Sequence, residues 1–228
     1  VSVDRARRPS KASAEAECYI QWAEKDKMHA KVLGTEHRIG LIDLRFLQRE
    51  EADAKAGADQ HRIYTFYGEV DDARVLDCMD ELGAWSRRDA GEPMTILLNS
   101  CGGSCIDGIA LYDYILSLRA IGHHFTVIAL GEASSMGGIL LQAGDHRVMG
   151  ATSELLIHEV SDEQIGSKTV SWIRDKHAYL LKLQRRMDKI LAERSTLSWQ
   201  EIEERSKGTD WFLDASEALE LGFIDEIR

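Results

Sequence analysis

The chain has 228 residues, with 28 Lys and Arg against 39 Asp and Glu and a formal net charge of −11. Its 44% apolar and 29% charged residues are the proportions of a globular protein and exclude a disordered chain, while a total of 2 prolines excludes collagen-like and Pro-rich linker sequences. The acidic balance argues against a nucleic-acid binder, which needs a concentrated basic face, and against an anionic membrane surface.

Residues 1–60 differ in character from the rest. Val1–Ala16 is basic and polar. Glu15–Leu33 has helical spacing, with Tyr19, Trp22, Ala23 and Met28 near one face and Gly34 as its C-cap. Ile39–Leu47 is a short apolar stretch, strand or helix, and the charged run at 48–60 is a loop or exposed turn. From residue 61 the pattern becomes α/β, giving two expected domains, an N-terminal extension over 1–60 and a main domain over 61–228. Ile63–Tyr67 is a β-rich run, followed by a helix over Asp71–Ser86 with Val75, Leu76, Met79 and Leu82 on its apolar face. Met94–Leu98 is a buried strand running into a Gly-rich turn and a helix over Ile106–Leu118. Phe125–Leu130 is another, followed by a second Gly-rich turn at Gly131–Gly138. His146–Met149 and Glu154–His158 are further strands. A long amphipathic helix covers Lys168–Arg194, with Ile173, His177, Leu180, Met187 and Leu191 as its stripe. Ser198–Ser206 is a helix with a capping box, Ala215–Leu221 another, and the chain closes on a strand over Phe223–Ile227. Strands alternating with helices predict a largely parallel sheet.

The four cysteines, Cys18, Cys78, Cys101 and Cys105, include no CxxC pair. Neither a structural zinc site nor a disulfide framework is expected, and the compartment is reducing. No apolar run reaches the ~20 residues of a membrane span, and no apolar segment follows the basic start as in a signal peptide. The expectation is a cytoplasmic protein, or one of the plastid stroma or an organelle matrix if a targeting segment preceded Val1.

Ligands of parallel α/β sheets bind beyond the carboxyl ends of strands, where both Gly-rich turns fall. Gly102-Gly103 bring bare backbone N–H groups to a ligand oxygen. Ser134 and Ser135 lie at the start of a helix, in a field that favours developing negative charge. Together the turns suit an oxyanion hole, which takes two N–H donors. The turn is neither the G-x-S-x-G of hydrolase elbows nor a phosphate loop. His158, closing a strand, suits a general base better than His123 and His124, expected in a solvated loop, or His177 on the helix stripe. Spacing alone selects no orienting acid.

Four segments resemble the proteolytic subunit of the ATP-dependent Clp protease, the ClpP family of serine peptidases: Asn99–Ser104 (NSCGGS), Gly131–Gly137 (GEASSMG), Leu156–His158 (LIH), and Asp210–Ala215 (DWFLDA) with Gly222–Asp225 (GFID). The resemblance implies a ClpP/crotonase-like spiral of βαβ units with a protruding handle helix. It implies Ser135 as nucleophile, His158 as general base, Asp210 as orienting acid, and Gly103 and Met136 as oxyanion-hole donors, with Ser134 a bystander. No cofactor or metal is implied, ATP being used only by a partner. The implied partners are further copies in stacked heptameric rings, a paralogous subunit, an AAA+ unfoldase such as ClpX, ClpA or ClpC, and unfolded polypeptide substrates. The chain departs from the family pattern at Cys101, in place of a turn proline, at Glu159-Val160, in place of Gln-Pro, and at Thr95 and Leu97, where docking aromatics usually stand. Three other readings stay open: a catalytically weak ring subunit that scaffolds or regulates an active paralogue, a crotonase-type enzyme acting on a CoA thioester, and a viral or mobile-element maturation protease.

Overall fold

The structure, a computed structural model, describes residues 30–32, 35–37, 62–162 and 167–228. The chain divides into two units, Val1–Gln60 and His61–Arg228. In the first, Ala30–Val32 (β1) and Thr35–His37 (β2) pair antiparallel, with Val32 opposite Thr35. This corrects the end of the helix expected over Glu15–Leu33. A glycine in the sequence suits the end of a strand as well as a helix C-cap, so Gly34 did not separate the two. The rest of that helix, the stretch Ile39–Leu47 and the run at 48–60 lie outside the described residues.

In the second unit, strands and helices alternate as expected. The order is Ile63–Tyr67 (β3), Asp72–Arg88 (α1), Met94–Ser100 (β4), Cys105–Ala120 (α2), Phe125–Ser134 (β5), Met136–Leu141 (α3), His146–Met149 (β6), Glu154–Ile157 (β7), Val170–Ala192 (α4), Trp199–Ser206 (α5), Trp211–Asp214 (β8), Ala215–Glu220 (α6) and Glu226–Ile227 (β9). Strands β3, β4, β5, β6 and β9 are neighbours in that order and all parallel. Polar side chains fix where the helices start. Asp71 caps α1 and Ser104 caps α2, each accepting a backbone N–H three residues on, while Ser198–Glu201 and Asp214–Glu217 form capping boxes on α5 and α6.

The strand expected over Phe125–Leu130 runs on to Ser134, through the first half of the second Gly-rich segment. It does so by changing partners. Thr126–Ala129 pair with β6, whereas Glu132–Ser134 pair with β7, and the register against β4 shifts between these halves. Such an irregularity bends a strand. β7 in turn pairs antiparallel with β8, a strand not foreseen from the sequence.

The core forms where the apolar faces meet. Val75, Cys78, Leu82 and Trp85 of α1 and Leu111, Ile115 and Leu118 of α2 pack with Phe66, Leu98 and Phe125 of the sheet, all at most 6% exposed. Leu76, expected on the buried face of α1, is exposed. His123, expected in solvent, is buried: its ring nitrogens lie 2.8 Å from the Glu92 carbonyl and 2.9 Å from Ser86 Oγ, so the loop is pinned rather than free. Near the C-terminus the buried Arg147 guanidinium binds both oxygens of Asp225, at 3.0 and 2.6 Å, and Gln142 Oε1 at 2.7 Å. Burial alone would raise the Asp225 carboxyl; its hydrogen bonds with Arg147 outweigh that and hold it below the usual range. Among the described residues no helix is long and apolar enough to cross a membrane.

Helix α4 corrects the expected stripe. Only its C-terminal half is buried, through Leu183, Gln184, Met187, Asp188 and Leu191; its N-terminal half projects, with Ile173 56% and Val170 85% exposed and His177 exposed. Asp188 is an acid inside an apolar seam. It is 1% exposed, Oδ1 accepts from Gln184 Nε2 at 2.8 Å, and Oδ2 has no partner. Burial pushes its carboxyl up to about 6, the Gln184 hydrogen bond opposes the rise, and Glu203 and Glu159 add to it. The folded chain therefore holds a proton that the unfolded chain releases, so stability falls as pH rises from about 4 to about 6 and is level above. Asp188→Asn is expected to raise stability at pH 7.5 by up to about 3 kcal/mol, with the gain shrinking towards pH 4, as read by urea melts at both pH values. A gain or loss of equal size at both pH values would contradict the assignment.

Candidate active site

Between the end of β5 at Ser134 and the start of α3 at Met136 stands Ser135, with φ 53° and ψ −118°. A non-glycine residue pays on the order of 1–3 kcal/mol to hold such a conformation, so its surroundings must impose it. They do so from three sides. The Ser135 N–H donates to the Leu156 carbonyl of β7 at 2.8 Å, and its carbonyl accepts from Gly138 N–H at 3.0 Å. Gly102 packs beneath it: a Cβ there would lie 2.6 Å from Ser135 Cβ and 2.9 Å from the Ser134 carbonyl. The sequence lacks G-x-S-x-G, yet the local form is the same sharp strand–Ser–helix turn. The preceding Ser134 is buried, and its hydroxyl donates to the Glu132 carboxylate at 2.8 Å.

Gly103 lies on the neighbouring turn, tied to the main chain of Val70. Val70 N–H donates to the Gly102 carbonyl and Ser104 N–H to the Val70 carbonyl, both at 2.7 Å. That pattern uses the atoms either side of Gly103 and leaves its own N–H free of a backbone acceptor. Its φ of 144°, and the 2.4 Å that would separate a Cβ from the Val70 carbonyl, restrict the position to glycine. Met136 N–H opens helix α3 and has no acceptor within it.

Ser135, His158, Gly103 and Met136 line one pocket. Its walls are Ile139, Ile157, Met187 and Leu191, with Cys105, Gln184 and Asp188 also facing it. Burial pushes the Cys105 thiol up. His158 is brought there by β7, which pairs with β5 at Leu156 opposite Ser134. Asp210 does not line the pocket and is exposed. It is nonetheless placed by the other edge of β7. The β7–β8 ladder ends at Ile157 opposite Trp211, so His158 and Asp210 are the residues that flank its last pair. Among the described residues no hydrogen bond joins Ser135 Oγ to His158 or His158 to Asp210.

The sequence pointed to these five residues through motif resemblance, and missed others that shape the site. The left-handed Ser135 and the support from Gly102 have no signal in composition. Gln184 and Asp188 had one: two polar residues at i and i+4, flanked at i+3 and i+7 by Met187 and Leu191, on an otherwise apolar seam.

A model of the Clp protease family matches residues 48–228. The match begins inside the first unit, upstream of the motifs read from the sequence. The chain is 29% identical over 190 residues to the ATP-dependent Clp protease proteolytic subunit of Leuconostoc citreum (strain KM20), an alignment covering 82% of this chain and 93% of that protein. It is 31% identical over 170 residues to the ATP-dependent Clp protease proteolytic subunit 3 of Rhodococcus jostii (strain RHA1), covering 74% of this chain and 81% of that protein. The α/β architecture with its parallel sheet agrees with that family's fold, and the chain belongs to the Clp protease family of serine-type proteases.

Proposed function

We propose that this chain hydrolyses peptide bonds of unfolded polypeptides as the proteolytic subunit of a self-compartmentalised barrel, with Ser135 as nucleophile, His158 as general base and Asp210 as orienting acid. The observation that carries the reading is the convergence on one pocket of Ser135, His158 and the two residues whose N–H groups have no backbone acceptor, Gly103 and Met136. His158 takes the Ser135 proton as Oγ attacks the carbonyl carbon, and the resulting oxyanion is held by the N–H groups of Gly103 and Met136. The proton then passes to the leaving amine, and water attacking through the same base releases the acyl group. Asp210 holds the imidazole tautomer and stabilises its cation. Ser134 is a poor candidate for the nucleophile, because its hydroxyl is committed to Glu132. The chemistry draws on the chain's own side chains and backbone, so ATP belongs to the partner unfoldase.

Assembly supplies what a single chain lacks. The projecting half of α4 leaves Val170, Ile173 and Leu181 exposed along one side, apolar surface suited to a second copy across stacked rings. Tightening of the segment after β7 and of β8 on assembly would bring His158 into line with Ser135 and Asp210. The N-terminal unit suits an axial or docking role, and a reducing cytoplasm suits the free thiols. One observation favours a second reading, a ring subunit that scaffolds an active paralogue: the three side chains are not hydrogen-bonded in series here. Activity of the purified homo-oligomer separates the two.

Ser135→Ala is expected to lower kcat for peptide cleavage by roughly 10⁴-fold or more, with the assembly intact by light scattering. Asp210→Asn is expected to cost on the order of 10⁴-fold with little change in KM, since the wrong imidazole tautomer results. Retained cleavage in Ser135→Ala would reassign the nucleophile. Light scattering of the wild-type chain should give a mass many times the 25.6 kDa of one subunit, and a clean monomer would remove the barrel from the account.

A further inference from the structure

We propose that the groove between α4 and α5 binds an acidic peptide segment of a partner protein, with the carboxylates on Lys182, Arg185, Arg186 and Lys189 and an apolar side chain against Trp199. The groove has a volume of about 630 Å³ and shares no lining residue with the Ser135 pocket. Its four cations are exposed and stand at i, i+3, i+4 and i+7 of α4. That spacing sets them in one stripe, roughly 10 Å long at 1.5 Å per residue, on the side of the helix away from the buried Leu183, Met187 and Leu191.

Elsewhere in the unit acids answer the cations. Arg62, Arg119, Arg147 and Arg194 each have a carboxylate oxygen within 3.0 Å. Among the described residues no carboxylate forms an ion pair with any of the four groove cations, although the chain carries 39 acids. Like charges at these spacings weaken a helix, so the stripe does not serve the stability of α4. Arg185 stacks on the half-buried Trp199, its guanidinium carbon 5.2 Å from the ring centroid. A guanidinium held by its face keeps its N–H edge for a carboxylate. Ile190, Ala192 and Trp199 supply apolar lining beside the charges, and Glu193, the acid among the lining residues, closes the stripe at its C-terminal end. An extended peptide advances about 3.3 Å per residue and turns alternate side chains to one side, so two acids separated by one residue fit within the stripe. A nucleic acid is charged along its whole length. It would run past the stripe into the field of a chain whose net charge is −11, whereas the charge of a short acidic segment ends where the stripe ends.

The test uses the assembled full chain carrying Ser135→Ala, so that the probe is not consumed. The probe is a fluorescein-labelled peptide with Glu at alternate positions and Leu and Ala between, compared by anisotropy with the same peptide carrying Gln for Glu. The Glu peptide is expected to bind roughly tenfold or more tightly than the Gln peptide, with the advantage shrinking as NaCl is raised from about 50 to about 500 mM. Adding Arg185→Glu and Arg186→Glu should abolish the advantage. Adding Arg87→Glu and Lys207→Glu, two exposed cations outside the groove, makes the same change in net charge and should leave it in place. Equal binding of the two peptides, or an equal loss in both charge-reversed proteins, overturns the inference. So does a single-stranded oligonucleotide that binds as tightly as the Glu peptide and is lost with the same groove variant, since the groove would then take any polyanion. Light scattering checks each variant. Where charge reversal disturbs the assembly, Arg185→Gln with Arg186→Gln is read instead, and loss of the assembly there too would put a second copy in the groove and overturn the inference.

Discussion

The hydrogen bond from Ser135 N–H to the Leu156 carbonyl is the constraint on which the site depends. It joins the last turn of one strand to the middle of another, and thereby sets a serine that no local preference would place in a left-handed conformation. β7 is then the common reference. On one edge it holds Ser135; on the other its ladder with β8 ends at Ile157 opposite Trp211, the pair that His158 and Asp210 flank. Segments distant in sequence are indexed to one another by two registers, and a one-residue slip in either would turn every side chain of the slipped strand to the other face.

This arrangement explains why β5 changes partner. A strand paired with β6 throughout would end among core neighbours. The shift between its halves hands its last three residues to β7 and brings the Ser135 turn against Gly102. The two Gly-rich segments thus act together: one supplies close backbone approach, the other bends and presents the hydroxyl. Helix α4 serves two ends of the molecule in the same way. Its buried half closes the pocket with Gln184, Met187 and Asp188, while its projecting half offers apolar surface beyond the unit.

Much of the fold was legible because its signals are local. The capping box at Ser198, apolar runs at 63–67 and 125–130, and the alternation of elements gave a largely parallel sheet. What escaped was set by tertiary pairing. Strand β8 lies in a mixed polar and aromatic segment, and only its partner β7 makes it a strand. His123 reads as a loop residue until Glu92 and Ser86 close on it. The stripe on α4 was extended too far, because periodicity reports which residues share a face and not whether anything covers that face. Of the site, motif resemblance pointed to Ser135, His158, Asp210, Gly103 and Met136. The strain at Ser135 and the unpartnered carboxylate of Asp188 depend on contacts that no spacing encodes.

The central claim is that the strained residue at the β5–α3 junction is a reactive nucleophile. Incubation of the assembled protein with a serine-directed peptidyl phosphonate, followed by peptide mass spectrometry, tests it most directly. Stoichiometric modification of Ser135, abolished by His158→Ala, is the expected result. Modification of Ser134, or no modification of any serine in a folded assembly, would contradict it.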